Sequence, residues 1–212
     1  MPVEIFDNLK KLFNERGFRL YMIGSSSRDF LLNREILDYD FVTDATPNEV
    51  KSFLDVDLTF AKYGAMSYKI CNTKIDIVTL RKERIYSDFR HPSDIEFVKD
   101  INVDYYRRDF TINAIYINEN YEIEKISEAG FNDLKNKKLV FIGDPLSRIK
   151  EDPLRILRAY RFIAEYNLNI DENVKKLLEE NEYLIENLNK FKVNEEKKKF
   201  IKAVENKNES NQ

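Results

Sequence analysis

Two aspartates, Asp38 and Asp40, stand one residue apart in the segment ILDYDFV. If this segment is a strand, the two side chains share a face and lie about 6 to 7 Å apart. Carboxylates so placed repel each other in apolar surroundings unless a cation lies between them. Asp76 alternates with Ile75 and Ile77, so it faces away from the side that the isoleucines bury. The pattern predicts a site for Mg²⁺, which prefers carboxylates, water and substrate phosphates; for the Asp-x-Asp pair alone, a solvated strand edge is the alternative.

A second chemical feature precedes the aspartates, in the segment IGSSSRDFLL. Glycine and small polar residues follow a short apolar strand and open a helix, with serines available as N-caps. Backbone N–H groups at a helix start suit a phosphate, and Arg28 can add bidentate contacts to phosphate oxygens. A serine-rich helix start alone is weak evidence, but together with the aspartates it favours nucleotide binding.

Composition narrows the classes of site. The only histidine is His91 and the only cysteine is Cys71, which excludes histidine-rich zinc sites and an intramolecular disulfide. Any acid–base or metal chemistry must therefore use carboxylates. The net charge of −3 is too small to indicate a partner. We expect a cytoplasmic protein, because the N-terminus lacks the apolar core of a signal peptide and no apolar run approaches a membrane span.

The periodicity predicts an α+β fold: a small, mixed and largely antiparallel sheet with helices over residues 1–143, a helical extension over 144–205, and a disordered tail over 206–212. The predicted elements before residue 144 are a helix over Ile5–Phe13 stopped at Gly17, strands over Phe18–Gly24 and Leu37–Val42, a helix opened by Thr46 and Pro47 that runs through Leu54, a hairpin over Met66–Leu80 that turns at Asn72 and Thr73, a mobile loop over Arg81–Ser93, and a second hairpin with its turn at Asn118–Asn120.

Four segments, in this order, resemble the bacterial-type tRNA CCA-adding nucleotidyltransferase and poly(A) polymerase family, within the polymerase β-like nucleotidyltransferases. The resemblance covers roughly residues 18 to 165, and the order and spacing make it specific. The four segments are GSSSRDFLLNREILDYDFVTDATPNEV, IDIVTLRKERIYSDFRHPSDIEFV, RRDFTINAIY and IGDPLSRIKEDPLRILRAYRF.

The resemblance implies a catalytic head with two Mg²⁺ ions and a helical neck, residues 144–205, that recognises the nucleotide. Asp38 and Asp40 would ligate the metal, and Asp76 aligns with the third acidic residue of the family. Two further groups are implied to bind ATP or CTP: Gly24, Ser25, Arg28, Arg107, Asp109 and Asn113 around the triphosphate and sugar, and Asp152, Arg155, Arg158 and Arg161 around the base.

The neck arginines also follow a geometric pattern. Arg155, Arg158 and Arg161 advance by three residues each, so on a helix they share a face about 120° wide. Guanidinium groups without partners on one face would repel and would need an anion such as a triphosphate or RNA backbone. The alternative is a salt-bridged solvent face beside Glu151 and Glu165.

The sequence departs from the family pattern in several places. Ser25 replaces the second glycine, Ser27 takes a usually apolar position, and ISEAGFNDL lacks the usual Asp-Pro-Phe-Gly-Gly run. The chain also ends after the neck, where related enzymes continue through body and tail domains. Six lysines near the end are candidates for phosphate binding, with a solvated helix end as the alternative: Lys190, Lys192, Lys197, Lys198, Lys199 and Lys202.

Two functional hypotheses follow. The first is a Mg²⁺-dependent, template-independent nucleotidyltransferase that adds C, A or both from CTP and ATP to an RNA 3′ end by two-metal phosphoryl transfer. Its leading form is complete or partial CCA addition to tRNA, and poly(A)-type tailing is the alternative within the class. The second is a weakly active RNA- or protein-binding subunit. In either case a partner chain or a second copy could replace the missing body and tail.

Overall fold

The computed structural model describes residues 2–70, 73–83 and 95–209. Within these ranges the chain has nine α-helices and six strands, with short 3₁₀ turns between them. The strands are β1 (Leu20–Met22), β2 (Tyr39–Thr43), β3 (Ala65–Ile70), β4 (Thr73–Thr79), β5 (Arg81–Glu83) and β6 (Ile95–Phe97). The helices are α1 (Pro2–Asn14), α2 (Gly24–Leu31), α3 (Pro47–Lys51), α4 (Ile101–Tyr105), α5 (Glu128–Lys135), α6 (Pro145–Glu151), α7 (Leu154–Tyr166), α8 (Glu172–Glu180) and α9 (Lys190–Glu209).

The four-stranded sheet has the order β1-β2-β4-β3. Strand β2 is antiparallel to β1 and parallel to β4, and β3 and β4 form an antiparallel hairpin. This confirms the mixed sheet and the first predicted hairpin. Of the two predicted turn residues, Asn72 lies outside the described ranges and Thr73 is the first residue of β4. One face of the sheet is buried, with Phe41, Ile75 and Ile77 at 0–1% exposure, and Phe6 of α1 stacks on Phe41 with ring centroids 5.4 Å apart.

The sequence predicts helix α3 well. Thr46 and Glu49 form a complete capping box with proline at the first position, and this satisfies two N–H groups at the helix start. The helix ends at Lys51 rather than Leu54. The last predicted turn persists as hydrogen bonds, because the N–H groups of Phe53 and Leu54 both donate to the Val50 carbonyl.

Two segments differ from the prediction. The segment predicted as a mobile loop begins with β5, which pairs with β6; its residues 84–93 lie outside the described ranges. The second predicted hairpin has no strands: Thr111–Asn113 is a 3₁₀ turn, and Ile117 makes only isolated bridges to Met22 and Ile123. The predicted turn itself is present, because the Tyr121 N–H donates to the Asn118 carbonyl, and the two segments pair only briefly around it, through Asn118 N–H to the Glu122 carbonyl and Glu124 N–H to the Tyr116 carbonyl.

The described chain divides into two compact units. The first comprises residues 2–83, 95–108 and 112–131, and the second comprises residues 109–111 and 132–209. In the second unit Phe110 packs edge-on against Phe141 and Phe162, with ring centroids 4.6 and 5.8 Å away. A smaller apolar cluster joins Leu154 of α7 to Val193 of α9. The helices from α6 to α9 confirm the predicted helical periodicity.

Helix α9 extends further than predicted. It continues through Glu209, so residues 206–209 are helical rather than disordered, while residues 210–212 lie outside the described part of the chain. A helix propagates at little cost once it is nucleated, because each added residue gains one backbone hydrogen bond. The six lysines named above all lie on this helix and are exposed. In the part of the chain that the structure describes, no helix has the length and apolarity that a membrane crossing needs.

Candidate active site

The open face of the sheet carries a row of polar side chains, Asp40, Asp76 and Ser67, which we call the acidic row. Asp40 on β2 is the register partner of Asp76 on β4, and Asp76 is the register partner of Ser67 on β3. Residues paired in register on neighbouring strands point to the same face. Asp76 keeps 45% of its side chain exposed between the buried Ile75 and Ile77. The prediction that Asp76 faces away from the isoleucines is therefore confirmed, and the fold sets it beside Asp40.

Asp38 lies one residue outside the strand. Strand β2 begins at Tyr39, so Asp38 stands at a bend before it, and the expectation of two aspartates on one strand is wrong for this residue. The bend is held from α2: the Asp38 carbonyl accepts a hydrogen bond from Ser26 Oγ at 3.1 Å, and Ser25 Oγ lies 3.2 Å from the same carbonyl while its single proton goes to Asp40. These contacts anchor the backbone and leave the exposed Asp38 side chain at the rim of the acidic row.

The start of helix α2 contacts the carboxylate of Asp40. Ser25 donates to Asp40 Oδ2 from its backbone N–H at 3.0 Å and from its hydroxyl at 2.7 Å. The serines are not N-caps, because Ile23 occupies the N-cap position without a side-chain bond. The anion at this helix start is thus the Asp40 carboxylate, which is favoured by the N–H groups and the helix dipole.

Gly24 is required where α2 meets β2. Its φ of +62° lies in the left-handed region that side chains disfavour. A Cβ added at Gly24 would lie 2.7 Å from Asp40 Oδ2, which is too close for any non-bonded contact. The close approach of the backbone to the carboxylate therefore depends on glycine. Serine in place of the second family glycine adds one donor, its hydroxyl, to the backbone N–H that either residue would offer to the same oxygen.

Arg28 is buried rather than open to solvent, at 3% exposure. Its Nη1 donates to Asn113 Oδ1 and, at 3.4 Å, to the carbonyl of Ile112. Two residues predicted to bind the nucleotide, Arg28 and Asn113, are thus brought together from segments 85 positions apart. Their contact with a triphosphate or a sugar stays a prediction.

Arg107 belongs to a buried charge cluster that was not predicted from the sequence. Asp104 is fully buried and accepts from Arg107 Nε at 2.7 Å and from Arg108 Nε at 2.9 Å. Burial alone would raise the pKa of the Asp104 carboxyl, but the charges of Arg107 and Arg108 outweigh it and hold that pKa well below its usual value. The signal was present in the spacing, because Asp104 precedes the two arginines by three and four positions.

In the second unit, the predicted sugar-side and base-side residues pair with each other. Arg158 on α7 donates to Asp109 Oδ2 from Nε at 2.7 Å and lies 2.6 Å from it through Nη2. Burial would lower the pKa of the Arg158 guanidinium, but the Asp109 carboxylate raises it above its ordinary value. Arg158 still keeps 34% of its side chain exposed, so it can contact a ligand while Asp109 orients it.

The other neck arginines also have carboxylate partners. Arg155 contacts Glu151 at 3.0 Å and donates to the Arg148 carbonyl, while Arg161 contacts Glu165 at 3.0 Å. The expectation of three unpaired guanidiniums that need an external anion is therefore wrong. The alternative correctly gives Glu151 and Glu165 as partners, but Arg155 is buried rather than on a solvent face. Asp152 Oδ1 accepts the N–H of Leu154 at 3.1 Å at the start of α7.

Arg161 holds two helices together. Its Nε lies 2.5 Å from Oε1 of Glu196 on α9, and its guanidinium lies 4.1 Å from the ring centroid of Phe162. Glu196 is 5% exposed, so a buried ion pair joins α7 to α9. Glu196 was not predicted, although its spacing from Val193 and Ala203 places it on the buried face of α9, away from its half-exposed neighbour Glu195.

The acidic row has the donor chemistry of a Mg²⁺ site, with carboxylate oxygens from adjacent strands. Among the side chains of residues 2–70, 73–83 and 95–209, no three from His, Cys, Asp and Glu lie close enough together to hold one metal ion. Lys74 lies 2.8 Å from Asp76 Oδ1 and donates to Oδ2 at 3.0 Å. The roles of Asp38, Asp40 and Asp76 as metal ligands stay a prediction.

The chain is similar to known proteins over most of its length. The family model described as the poly(A) polymerase head domain matches residues 20–140. The CCA-adding enzyme of Staphylococcus haemolyticus is 35% identical over 96% of this chain and 52% of its own length. The chain thus spans about half the length of the curated relatives it matches.

Solved structures agree in fold. The Bacillus stearothermophilus CCA-adding enzyme, solved in complex with CTP, has a TM-score of 0.83 at 24% identity, covering 94% of this chain and 48% of the other. A tRNA nucleotidyltransferase solved with a primer tRNA and an incoming ATP analogue has a TM-score of 0.70 at 30% identity, covering 92% of this chain and 58% of the other.

Proposed function

The chain belongs to the family of the poly(A) polymerase head domain, and from that premise we propose that it is a template-independent RNA nucleotidyltransferase. It would transfer a nucleoside monophosphate from CTP or ATP to an RNA 3′-hydroxyl and release pyrophosphate. The leading substrate is a tRNA that lacks all or part of its terminal CCA. The proposal includes a cytoplasmic location.

One observation carries the proposal: the register that sets Asp40 beside Asp76 on the open face, with α2 starting directly at Asp40. Carboxylates on the two central strands of the sheet, next to a helix start, form a surface that can hold metal-bound phosphates and a hydroxyl together. Related enzymes have been solved with CTP and with a primer tRNA and an incoming ATP analogue, which supports the same substrate classes here.

Mg²⁺ would be held by Asp40 and Asp38, with Asp76 beside them, and two ions are proposed. The fit rests on the all-oxygen donor set described above. When bound, the ions would neutralise charge on the phosphate oxygens and on the attacking and leaving oxygens. Ser25 would keep Asp40 oriented through its two hydrogen bonds.

The reaction needs an attacking oxygen and a leaving group in line. The RNA 3′-oxygen would bond to the α-phosphorus as the bond from that phosphorus to the bridging oxygen breaks, and pyrophosphate would leave with the bonding pair. Asp76 would orient the 3′-hydroxyl or accept its proton, which is consistent with its exposed carboxylate. Arg28 and Arg107 would support the triphosphate.

Residues of the second unit would select the base of the incoming nucleotide. Arg158 offers guanidinium donors, and Asp109 orients them. Asp152 offers carboxylate acceptors, and Arg155, three residues further along the chain, is fixed by its ion pair with Glu151. A fixed pair of donors and acceptors can distinguish C from A by hydrogen bonding to the base edge. Because Arg161 contacts Glu196 and Glu165, we assign it a supporting role behind Arg158.

The test is incorporation of labelled CTP and ATP, separately and together, into three tRNA transcripts. One lacks the whole CCA end, one lacks its last two nucleotides, and one lacks only the terminal A. The wild type with Mg²⁺ is compared with Asp40→Asn and Asp38→Asn, and with Asp55→Asn as a control, since Asp55 is a 95% exposed surface carboxylate. We expect at least 100-fold lower incorporation, about 2.7 kcal/mol, for the two site variants and wild-type incorporation for the control.

The products separate the alternatives. Addition that stops at CCA supports the leading form, and unlimited addition of A from ATP supports poly(A)-type tailing. No incorporation by the wild type, or equal incorporation by wild type, Asp40→Asn and Asp38→Asn, would contradict the proposed activity. Stable RNA binding without incorporation would then favour the alternative of an RNA-binding subunit.

A further inference from the structure

A pair of lysines extends the polar face of the sheet beyond the acidic row. Lys69 on β3 and Lys74 on β4 are register partners at the end of the hairpin. Because Lys74 and Asp76 are two residues apart on one strand, both lysines share the face of Asp76, about 7 Å along the strand direction. The face therefore presents one row of Asp40, Asp76 and Ser67, followed by a basic row of Lys69 and Lys74.

The arrangement has no evident value for stability. Like charges directly opposite each other on neighbouring strands are destabilising. The Asp76 carboxylate compensates Lys74 only, and that pair is exposed, with 68% of the lysine and 45% of the aspartate side chain accessible, so it contributes little. Local rules of sheet stability are broken mainly at functional sites, and two ammonium groups at this spacing suit a phosphate.

Which phosphate they bind follows from the strand order β1-β2-β4-β3. The helix start that is predicted to hold the triphosphate contacts Asp40 on β2, whereas the lysines lie on β4 and β3. Asp40 and Asp76 therefore lie between the start of α2 and the two lysines. Phosphoryl transfer places the attacking and leaving oxygens roughly in line on opposite sides of the phosphorus, so the RNA approaches from the side opposite the triphosphate.

We infer that Lys69 and Lys74 bind the phosphodiester backbone of the RNA 3′ end, immediately before the nucleotide that carries the attacking hydroxyl. The inference rests on the proposed function. The distance between the two rows is comparable to one nucleotide of backbone, which lets the lysines hold the preceding phosphate while the 3′-hydroxyl reaches the acidic row. The Lys74–Asp76 contact would open as the RNA phosphate and the metal ions take the two partners.

The experiment compares wild type with Lys69→Gln/Lys74→Gln. Binding of a labelled tRNA transcript lacking its 3′ CCA is followed by fluorescence anisotropy over a series of salt concentrations, and binding of CTP is followed by calorimetry. The control is Lys11→Gln/Lys51→Gln, which removes the same amount of charge from α1 and α3. Lys11 is exposed, and Lys51, like Lys74, forms an ion pair with an exposed aspartate. Lys69→Arg/Lys74→Arg tests whether charge suffices.

We expect the double glutamine variant to bind the transcript about fivefold to tenfold more weakly at low salt. Its slope of log affinity against log salt should be smaller by about 1.4, the value for two contacts to single-stranded phosphates. Binding of CTP should change less than about twofold, and the arginine variant should bind RNA like the wild type.

Three outcomes would overturn the inference. One is RNA binding and salt dependence equal to those of the control; the second is weaker CTP binding with RNA binding unchanged, which would assign the lysines to the triphosphate. The third is no binding of the transcript by the wild type at low salt. If the double glutamine variant binds RNA more weakly as expected while the wild type incorporates no nucleotide, the proposed activity is contradicted and RNA binding by the two lysines stands.

Discussion

Ser26 Oγ accepts a hydrogen bond from the backbone N–H of Asp40 at 2.7 Å. The same hydroxyl donates to the carbonyl of Asp38 at 3.1 Å, so one fully buried serine joins α2 to both ends of the Asp-x-Asp segment. A hydroxyl has one proton and two lone pairs, and both kinds of bond are used here. The position of the candidate metal ligands is therefore set from the neighbouring helix.

Replacing Ser26 by alanine would leave the Asp40 N–H without its acceptor in the interior. We expect the free energy of unfolding to fall by about 1 to 3 kcal/mol, measured by urea denaturation. Ser52→Ala is the control, because the Ser52 hydroxyl donates to a carbonyl at an exposed position, and it should lower stability by less than about 0.5 kcal/mol. Equal effects of the two changes would contradict the role of Ser26.

Gly24 and Gly17 allow backbone strain to be separated from crowding. Both have positive φ, +62° and +80°, but a Cβ would meet Asp40 Oδ2 at 2.7 Å only at Gly24, whereas nothing lies within 4 Å at Gly17. Gly17→Ala should cost about 1 to 2 kcal/mol and keep wild-type nucleotide incorporation. Gly24→Ala should cost more and lower incorporation at least tenfold, about 1.4 kcal/mol in the barrier, because Asp40 must move.

Asp104→Asn tests the buried charge cluster. Arg107 and Arg108, each with 14% of its side chain exposed, would lose their shared counter-charge, and stability at pH 7 should fall by about 3 to 5 kcal/mol. Because the folded pKa of Asp104 is held below its ordinary value of 3.8, its contribution is complete above that value and is lost as pH falls through the lowered pKa. The gap between variant and wild type in denaturation should therefore narrow below about pH 4, whereas a gap that stays constant would argue against the ion pairs as its cause.

Glu196 and Glu195 are neighbours on α9 with opposite environments. Glu196 contacts Arg161 with 6% of its side chain exposed, while Glu195 contacts Lys198 with 43% exposed. Glu196→Gln leaves a nearly buried guanidinium short of a partner, so we expect a loss on the order of 3 kcal/mol. Glu195→Gln should change stability by less than about 0.5 kcal/mol. Thermal denaturation followed by circular dichroism measures the stability of both variants. Equal losses of stability for Glu196→Gln and Glu195→Gln would show that the ion pair between Arg161 and Glu196 does not stabilise the fold.

Tyr21 should make the fold sensitive to alkali. Burial raises the pKa of the Tyr21 phenol from 10.0 to about 12. The unfolded chain therefore releases this proton from about pH 10, while the folded chain keeps it until about pH 12, and stability falls across that window by up to about 1.4 kcal/mol per pH unit. Tyr21→Phe should reduce the slope, measured by denaturation at several pH values. Tyr106→Phe, at a 66% exposed position, should leave it unchanged.

Much of the candidate site was accessible from the sequence. The alternation of Ile75, Asp76 and Ile77 identified the open face, and Thr46 with Glu49 identified the start of α3. Four ordered motifs indicated the family. These inferences succeed because strand alternation, capping and motif spacing are local properties, set by backbone geometry within a few residues.

The partners of the charged side chains depended on the tertiary structure. Asp109 and Arg158 are 49 positions apart and Arg161 and Glu196 are 35 apart, and their pairing removed the need for an external anion that the helix pattern had suggested. The register of Asp40 with Asp76 likewise depends on a parallel strand pair with β3 between them in the chain. The sequence alone determined which residues could do chemistry and, for Asp76, which face of the sheet the side chain occupies. The fold decided which of these residues meet, because distances between segments follow from packing and strand register rather than from local periodicity.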